Sequence, residues 1–158
     1  MTATPPIANA GVRFPPPFLF VAGILLGWAL NRLVHPLPLT TASALPAGGT
    51  ILIVIGMALA ISGIITFHRA HTAVVPNQPA SRLVQEGPYR FTRNPMYTGL
   101  TLTYLGVTVW LNSIWPLVLL PLVLFLLVRL VIQREELYLA SAFGAEYDAY
   151  RARVRRWL

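Results

Sequence analysis

The sequence predicts an all-α integral-membrane protein with about four transmembrane helices. A cytoplasmic loop and a C-terminal amphipathic helix are expected to form its site. Three observations carry this. Apolar residues make up 56% of the 158-residue chain and charged residues only 11%, above and well below the levels of soluble globular proteins. Mean hydropathy is +0.64. Four apolar runs alternate with polar segments, and none shows the two-residue period of barrel strands, so helices are the spanning form. The length fits a single membrane domain, 1–158, with two spans in 1–67 and two more in 68–158.

Each element follows from its own run, since about 20 apolar residues are needed to cross. A Pro-rich opening reads as a disordered tail. Residues 18–34 (FLFVAGILLGWALNRLV) are apolar up to Asn31 and Arg32. With a single arginine before it and no small-residue cleavage site after it, this run reads as a retained span and not a signal peptide. Residues 51–67 carry no charge. Gly23 with Gly27, and Gly56 with Ala60, have the spacing of close helix packing. The run 97–111 is short, and reaches spanning length only if its helix begins at Asn94 to Met96, with Pro95 in the first turn. Residues 113–132 are apolar apart from Arg129, and Pro116 and Pro121 are expected to bend them.

Charge sets the orientation. All twelve basic residues are arginine, against five acids. Arg13, Arg69, Arg82, Arg90, Arg93, Arg129, Arg134, Arg151, Arg153, Arg155 and Arg156 fall on one side of this arrangement, and Arg32 alone on the other. By the positive-inside rule both termini and the segment EGPYRFTRNPMYTG face the cytoplasm, as in a multi-pass protein of the cell (inner) membrane. The arginines adjoin apolar spans, so anionic lipid headgroups and not nucleic acid are the expected partner of this charge.

Several chemistries are excluded or disfavoured. Without cysteine there is no disulfide, thiolate nucleophile or Cys-ligated metal. G-x-G-x-x-G, G-x-x-x-x-G-K-[ST] and G-x-S-x-G are absent. His68 and His71 stand three apart, but a metal needs a third ligand and His35 is placed across the membrane, so no metal site is expected.

Two polar clusters remain. In the tail, Phe143, Tyr147, Tyr150, Val154 and Trp157 recur at helical spacing with arginines between them, and Gly144 marks a break before them. A membrane-surface anchor is the expected role of arginines 151 to 156. Glu135 and Glu136 follow directly on a span. They either neutralise Arg129 or Arg134, or face a functional cavity.

The stretch LVQEGPYRFTRNPMYTG, then an apolar hairpin, then REELYLASAFGAEYDAYRARV resembles the isoprenylcysteine carboxyl methyltransferase family of integral-membrane enzymes, to which the phospholipid N-methyltransferases are related. The shared pattern is LV-x-x-GPY-x-x-x-R-H-P-x-Y-x-G, a hydrophobic stretch, EE, then FG-x-x-Y-x-x-Y. It covers roughly residues 66 to 157 and makes 68–158 a methyltransferase-like core. The resemblance implies S-adenosylmethionine as methyl donor, with Leu83, Val84, Tyr89, Asn94, Pro95, Met96, Tyr97 and Glu136 as cofactor-binding positions. Asn94 replaces the usual histidine and cannot titrate near neutral pH.

That resemblance gives the loop a physical purpose. Gly87 and Pro88 turn the chain, and Pro95 opens a helix whose free N–H groups can receive a carboxylate. Tyr89 or Tyr97 could face the sulfonium, and Glu135 or Glu136 the ribose hydroxyls or the amino group. Arg129 and Glu135 are the expected catalytic residues. Arg129 or Arg134 would hold an anionic acceptor, and a glutamate could take a proton from an amine one. The acceptor implied is a prenylated or other lipid-like molecule entering from the bilayer, with carboxyl O-methylation favoured and phospholipid amine N-methylation the alternative. An NADPH-dependent sterol-type reductase relative and a non-catalytic membrane scaffold are the readings from other classes.

Overall fold

A computed structural model of the chain describes residues 10–12, 14–40, 45–72 and 80–157. The first nine residues of the Pro-rich opening, Arg13, residues 41–44 and residues 73–79 lie outside the described residues. Among the described residues there are helices and turns and no strand.

Helix α1 runs over Pro17–Leu33 and α2 over Leu45–Arg69. A short 3₁₀ turn, Gly87–Arg90, precedes α3, Pro95–Trp110. Helix α4, Ile114–Leu127, passes through a π-helical turn, Val128–Ile132, into α5, Gln133–Phe143. After Gly144 comes α6, Ala145–Arg153. Two helices, Pro46–Arg69 and the continuous Ile114–Phe143, are long and apolar enough to cross a membrane, and α1 is a shorter apolar helix. Their large apolar side chains, such as Val54, Ile55, Val118 and Phe125, are exposed outward. A soluble protein would bury such faces, so this belt fits lipid.

Helix α3 begins at Pro95, with Asn94 as its N-terminal cap residue, but at 16 residues it is not among the helices long and apolar enough to cross a membrane. The tail differs from a single striped helix. Gly144 adopts φ +49° and separates α5 from α6, and α6 ends at Arg153. Val154 is extended, so Val154 and Trp157 lie beyond the helical stripe.

The helices pack as two pairs, α2 against α3 and α1 against α4. Glycines set both contacts. A Cβ on Gly56 would lie 2.5 Å from the Gly99 carbonyl and 2.6 Å from the Thr103 nitrogen, and one on Gly49 would lie 2.8 Å from the Gly106 carbonyl. Gly23 and Gly27 admit Val123 and Pro116 of α4 in the same way. With lipid on the outside there is little hydrophobic drive to pair helices, and close backbone approach supplies the dispersion energy in its place. The buried core between the pairs holds Phe20, Tyr104, Val123, Leu127, Val131 and Ile132.

The π turn bears on the site. The Gln133 N–H reaches back to the Val128 carbonyl, five residues earlier. One extra residue in a turn re-phases the following helix by about 100°. Glu135 and Glu136, in the helix that follows, both border the cleft described next.

Candidate functional site

At the end of the molecule where α3 begins, a cleft lies between the C-terminus of α2, residues 80–97, α5 and α6. Its volume is about 110 Å³.

The 3₁₀ turn forms the first wall. Gly87 has φ +57°, and a Cβ there would sit 2.9 Å from Thr66 Oγ1, so only glycine suits this turn against α2. The turn drives Tyr89 inward, where it is 4% exposed, with its ring centroid 5.1 Å from that of Phe67. The Tyr89 carbonyl accepts a 2.8 Å bond from the Tyr150 hydroxyl. The Tyr89 hydroxyl itself is buried and has no protein partner. Burial, with the Glu135 carboxylate second, raises the Tyr89 phenol well above its ordinary range, so it remains a neutral donor. Leu83 packs on Tyr147 and Tyr150, which fixes α6 over this wall.

Residues 92–94 make the second wall by pairing with the end of the chain. The Arg93 N–H donates to the Arg155 carbonyl at 2.9 Å. The Thr92 hydroxyl and the Asn94 side-chain amide both donate to the Arg156 carbonyl, each at 3.0 Å. The Asn94 carbonyl in turn accepts from the Thr98 N–H and hydroxyl, closing the first turn of α3. Asn94 thus uses its amide N–H on the tail, a task that needs a donor and not a titrating group.

The two glutamates have separate surroundings. Glu135 Oε1 accepts a 2.7 Å bond from the Tyr97 hydroxyl. Glu136 accepts from Arg156 at both oxygens, at 2.9 and 2.6 Å, and lies 3.4 Å from Arg93 Nη1. Those bonds raise the Arg156 guanidinium still further above its ordinary range. Arg93 Nη1 also donates to the Tyr147 hydroxyl at 3.0 Å, and Arg93 Nε is buried without a partner.

Of the residues singled out from sequence, Leu83, Val84, Tyr89, Asn94, Met96, Tyr97, Glu135 and Glu136 all line this cleft. Pro95 is buried beside it as the first residue of α3. Arg129 and Arg134 do not border the cleft. Arg129 is exposed with its guanidinium over the Phe125 ring, 5.7 Å from the centroid, and Arg134 donates to the Gly11 carbonyl at 3.1 Å. His68 and His71 are exposed, and among the described residues no group of three possible ligands could hold a metal.

Sequence reasoning missed Arg93, Tyr138, Tyr147, Tyr150 and Arg156. The anchor role expected for arginines 151 to 156 fails for Arg156, which turns inward to Glu136, while Arg153 is exposed and donates to Gln85 at 3.1 Å. The spacing of Tyr147 and Tyr150 was visible, but not that the stripe faces residues 83–93 and not lipid.

These groups suit a small polar ligand with a cationic portion. Aromatic faces and an acid without a cationic partner among the described residues can take the cation. The unpartnered Tyr89 hydroxyl and Arg93 Nε offer donors that a ligand can use. S-adenosylmethionine, with its sulfonium, ammonium, hydroxyls and carboxylate, fits this donor and acceptor set.

The model of the phospholipid methyltransferase family matches residues 45–146 of the chain. A protein of Haemophilus influenzae described only as uncharacterised is 46% identical over 63 residues, 40% of this chain and 100% of that protein. Two proteins of Oryza sativa, from subspecies indica and japonica, are each described as "probable protein-S-isoprenylcysteine O-methyltransferase". Each is 30% identical over 112 residues, 70% of this chain and 59% of the rice protein. The chain therefore spans less than two thirds of the rice relatives' length. No solved structure matches it.

Proposed function

The chain belongs to the phospholipid methyltransferase family, and from that premise we propose that it transfers a methyl group from S-adenosylmethionine to a lipid-like acceptor at the membrane. The observation that carries the reading is the cleft itself. It joins the GPY turn, the N-P-x-Y helix start and both glutamates around donors that no protein group uses.

The cofactor supplies an activated methyl on a sulfonium, open to in-line displacement. The protein's work is to bind, orient and exclude water. Tyr89, Tyr97 and Met96 would hold the cationic centre, Leu83 and Val84 would pack on the nucleoside, and Asn94 with Pro95 holds the start of α3 in register. Glu136 keeps Arg93 and Arg156 in place and borders the cofactor. Glu135, held by the Tyr97 hydroxyl, stands where it could take a proton from an acceptor. The acceptor's apolar chain lies among the helices, with the cleft and both termini on the cytoplasmic side of the cell membrane.

A carboxylate acceptor is favoured, because it is ionised at neutral pH with a reference pKa near 4 and needs no base. This agrees with the activity named for the rice relatives. The family's own name favours the second reading, N-methylation of a phospholipid amine, in which Glu135 acts as the base.

The test is to purify the protein in detergent and measure S-adenosylhomocysteine binding by calorimetry. Methyl transfer to a farnesylated cysteine analogue is then compared with transfer to phosphatidylethanolamine. Binding, with transfer to the prenylated carboxylate, is expected. Transfer to the amine alone selects the second reading, and binding of NADPH in place of S-adenosylhomocysteine overturns both.

A further inference from the structure

We infer that Arg93 receives the carboxylate of the cofactor's amino-acid end, within a cleft built to bind a zwitterion. The inference rests on the cleft being an S-adenosylmethionine site and adds which residue sets the polarity of the ligand.

The argument starts from unmatched charges. The Arg93 side chain is only 15% exposed, in the wall of the cleft. Its guanidinium carries five N–H donors in a planar fork. Nη1 serves the Tyr147 hydroxyl and lies near Glu136, while Nε is buried with no acceptor. Glu136 meets Arg93 only at Nη1 and at 3.4 Å, a longer contact than its 2.9 and 2.6 Å bonds to Arg156, and it does not reach Nε. One carboxylate is shared between two guanidiniums, and Arg93 is the one left short. Glu135 shows the converse. It lines the same cleft and accepts from Tyr97, yet no cation stands within ion-pair distance among the described residues.

A cleft that holds a guanidinium with a spare buried N–H and a carboxyl without a cationic partner among the described residues selects against simple ions. A free phosphate would meet Glu135 and Glu136, and a free amine would meet Arg93 and Arg156. A ligand carrying both signs satisfies both groups, and the carboxylate of an amino-acid head can complete the Arg93 fork with charge-assisted bonds. The side chain is also held in advance of binding. Its backbone is pinned to the Arg155 carbonyl and its flanking residues to the Arg156 carbonyl, so little entropy is lost when a ligand docks.

Two probes separate this role from mere support of the fold. S-adenosylhomocysteine carries the amino-acid head, and 5′-methylthioadenosine has the same nucleoside thioether without it. Calorimetric affinities of both are measured for wild type, Arg93→Gln and Arg93→Lys. Arg93→Gln is expected to weaken S-adenosylhomocysteine by about ten- to a hundredfold. Methylthioadenosine should change by less than about threefold. Arg93→Lys should fall between, because a point charge replaces the fork. Equal weakening of both probes, or none, overturns the inference while leaving the proposed function standing. Failure of wild type to bind either probe overturns both. If Arg93→Gln does not fold, the ratio of the two affinities in Arg93→Lys decides alone.

Discussion

Asn112 and Arg93 stand at opposite ends of α3 and treat their polar atoms in opposite ways. Asn112 accepts at Oδ1 from the Leu39 and Thr40 N–H groups, at 3.0 and 3.2 Å, and donates from Nδ2 to the Thr40 carbonyl at 3.0 Å. Around it, Trp115 donates to the His35 carbonyl and the Ile114 N–H to the Leu37 carbonyl. Those bonds close a loop and leave no unpartnered buried side-chain atom there among the described residues. At the Arg93 end the buried Tyr89 hydroxyl and Arg93 Nε are both left over. Unmet buried donors cost about 1–3 kcal/mol each. An end that carries two of them in one cleft, beside a loop end that carries none, is built for something besides folding.

The comparison is broken most completely by removing what both ends share. Gly56 lies where α2 and α3 nearly touch, with the Gly99 and Thr103 backbones 2.5 and 2.6 Å from any added Cβ. Backbone cannot swing aside as a side chain can, so Gly56→Leu should cost about 3 kcal/mol or more. Loss of the monodisperse species in detergent size-exclusion chromatography is the expected result. A normal elution profile and melting temperature would mean that the two helices are not packed this closely.

Next in size is Glu136→Gln, which strikes the cleft end alone. It removes the double bond to Arg156 and the ion pair to Arg93, worth roughly 1.5–3 kcal/mol together. Amide hydrogen exchange at residues 154–157 should quicken, and S-adenosylhomocysteine should bind about tenfold or more weakly. Glu146→Gln is the control, since Glu146 is exposed and accepts from Gln85 at 3.0 Å. Equal, small effects at both positions would reduce Glu136 to a surface charge.

The sharpest form of the comparison is a crossed pair. Asn112→Ala should destabilise by about 1–2 kcal/mol and leave ligand affinity unchanged, because its three bonds are structural. Tyr89→Phe should stabilise the unliganded protein, by up to about 1–3 kcal/mol, since it removes a buried hydroxyl that has no protein partner. It should still weaken S-adenosylhomocysteine by roughly tenfold if that hydroxyl addresses the ligand. Melting temperature and calorimetric affinity, measured on both variants, decide it. Both variants lowering the same observable would erase the distinction between the ends.

What was legible in the sequence follows from distance along the chain. The apolar runs, the Gly23/Gly27 and Gly56/Ala60 spacings and the break at Gly144 are local patterns, and the structure has a helix or a contact at each. The stripe of Gly49, Gly56 and Gly63 at seven-residue intervals was equally visible and would have extended the α2 contact. The inward turn of Arg156 was not legible, because its partners are Glu136, Thr92 and Asn94, up to 64 residues away. No period encodes that return. The π turn left no mark either, since nothing in VRLVI separates it from ordinary helix. Arg129 was singled out for its depth in an apolar run, but depth does not say which face of the helix a residue takes, and its face is the outer one.

The smallest expected effect guards against reading every charge at the cleft end as functional. Arg82 borders the cleft and makes a short ion pair, 2.7 Å to Glu86. By distance alone it rivals the Arg156–Glu136 pair at 2.6 Å. Exposure separates them. The side chains of Arg82 and Glu86 are 60% and 70% exposed, against 36% and 21% for Arg156 and Glu136. In water the Coulomb gain of a contact pair falls to about 1 kcal/mol, and ordering two long side chains offsets most of it. Arg82→Gln should therefore change stability by less than about 0.5 kcal/mol and S-adenosylhomocysteine affinity by less than about twofold, with even that small change fading in high salt. A loss of tenfold or more that persists at high ionic strength would place Arg82 on the ligand beside Arg93.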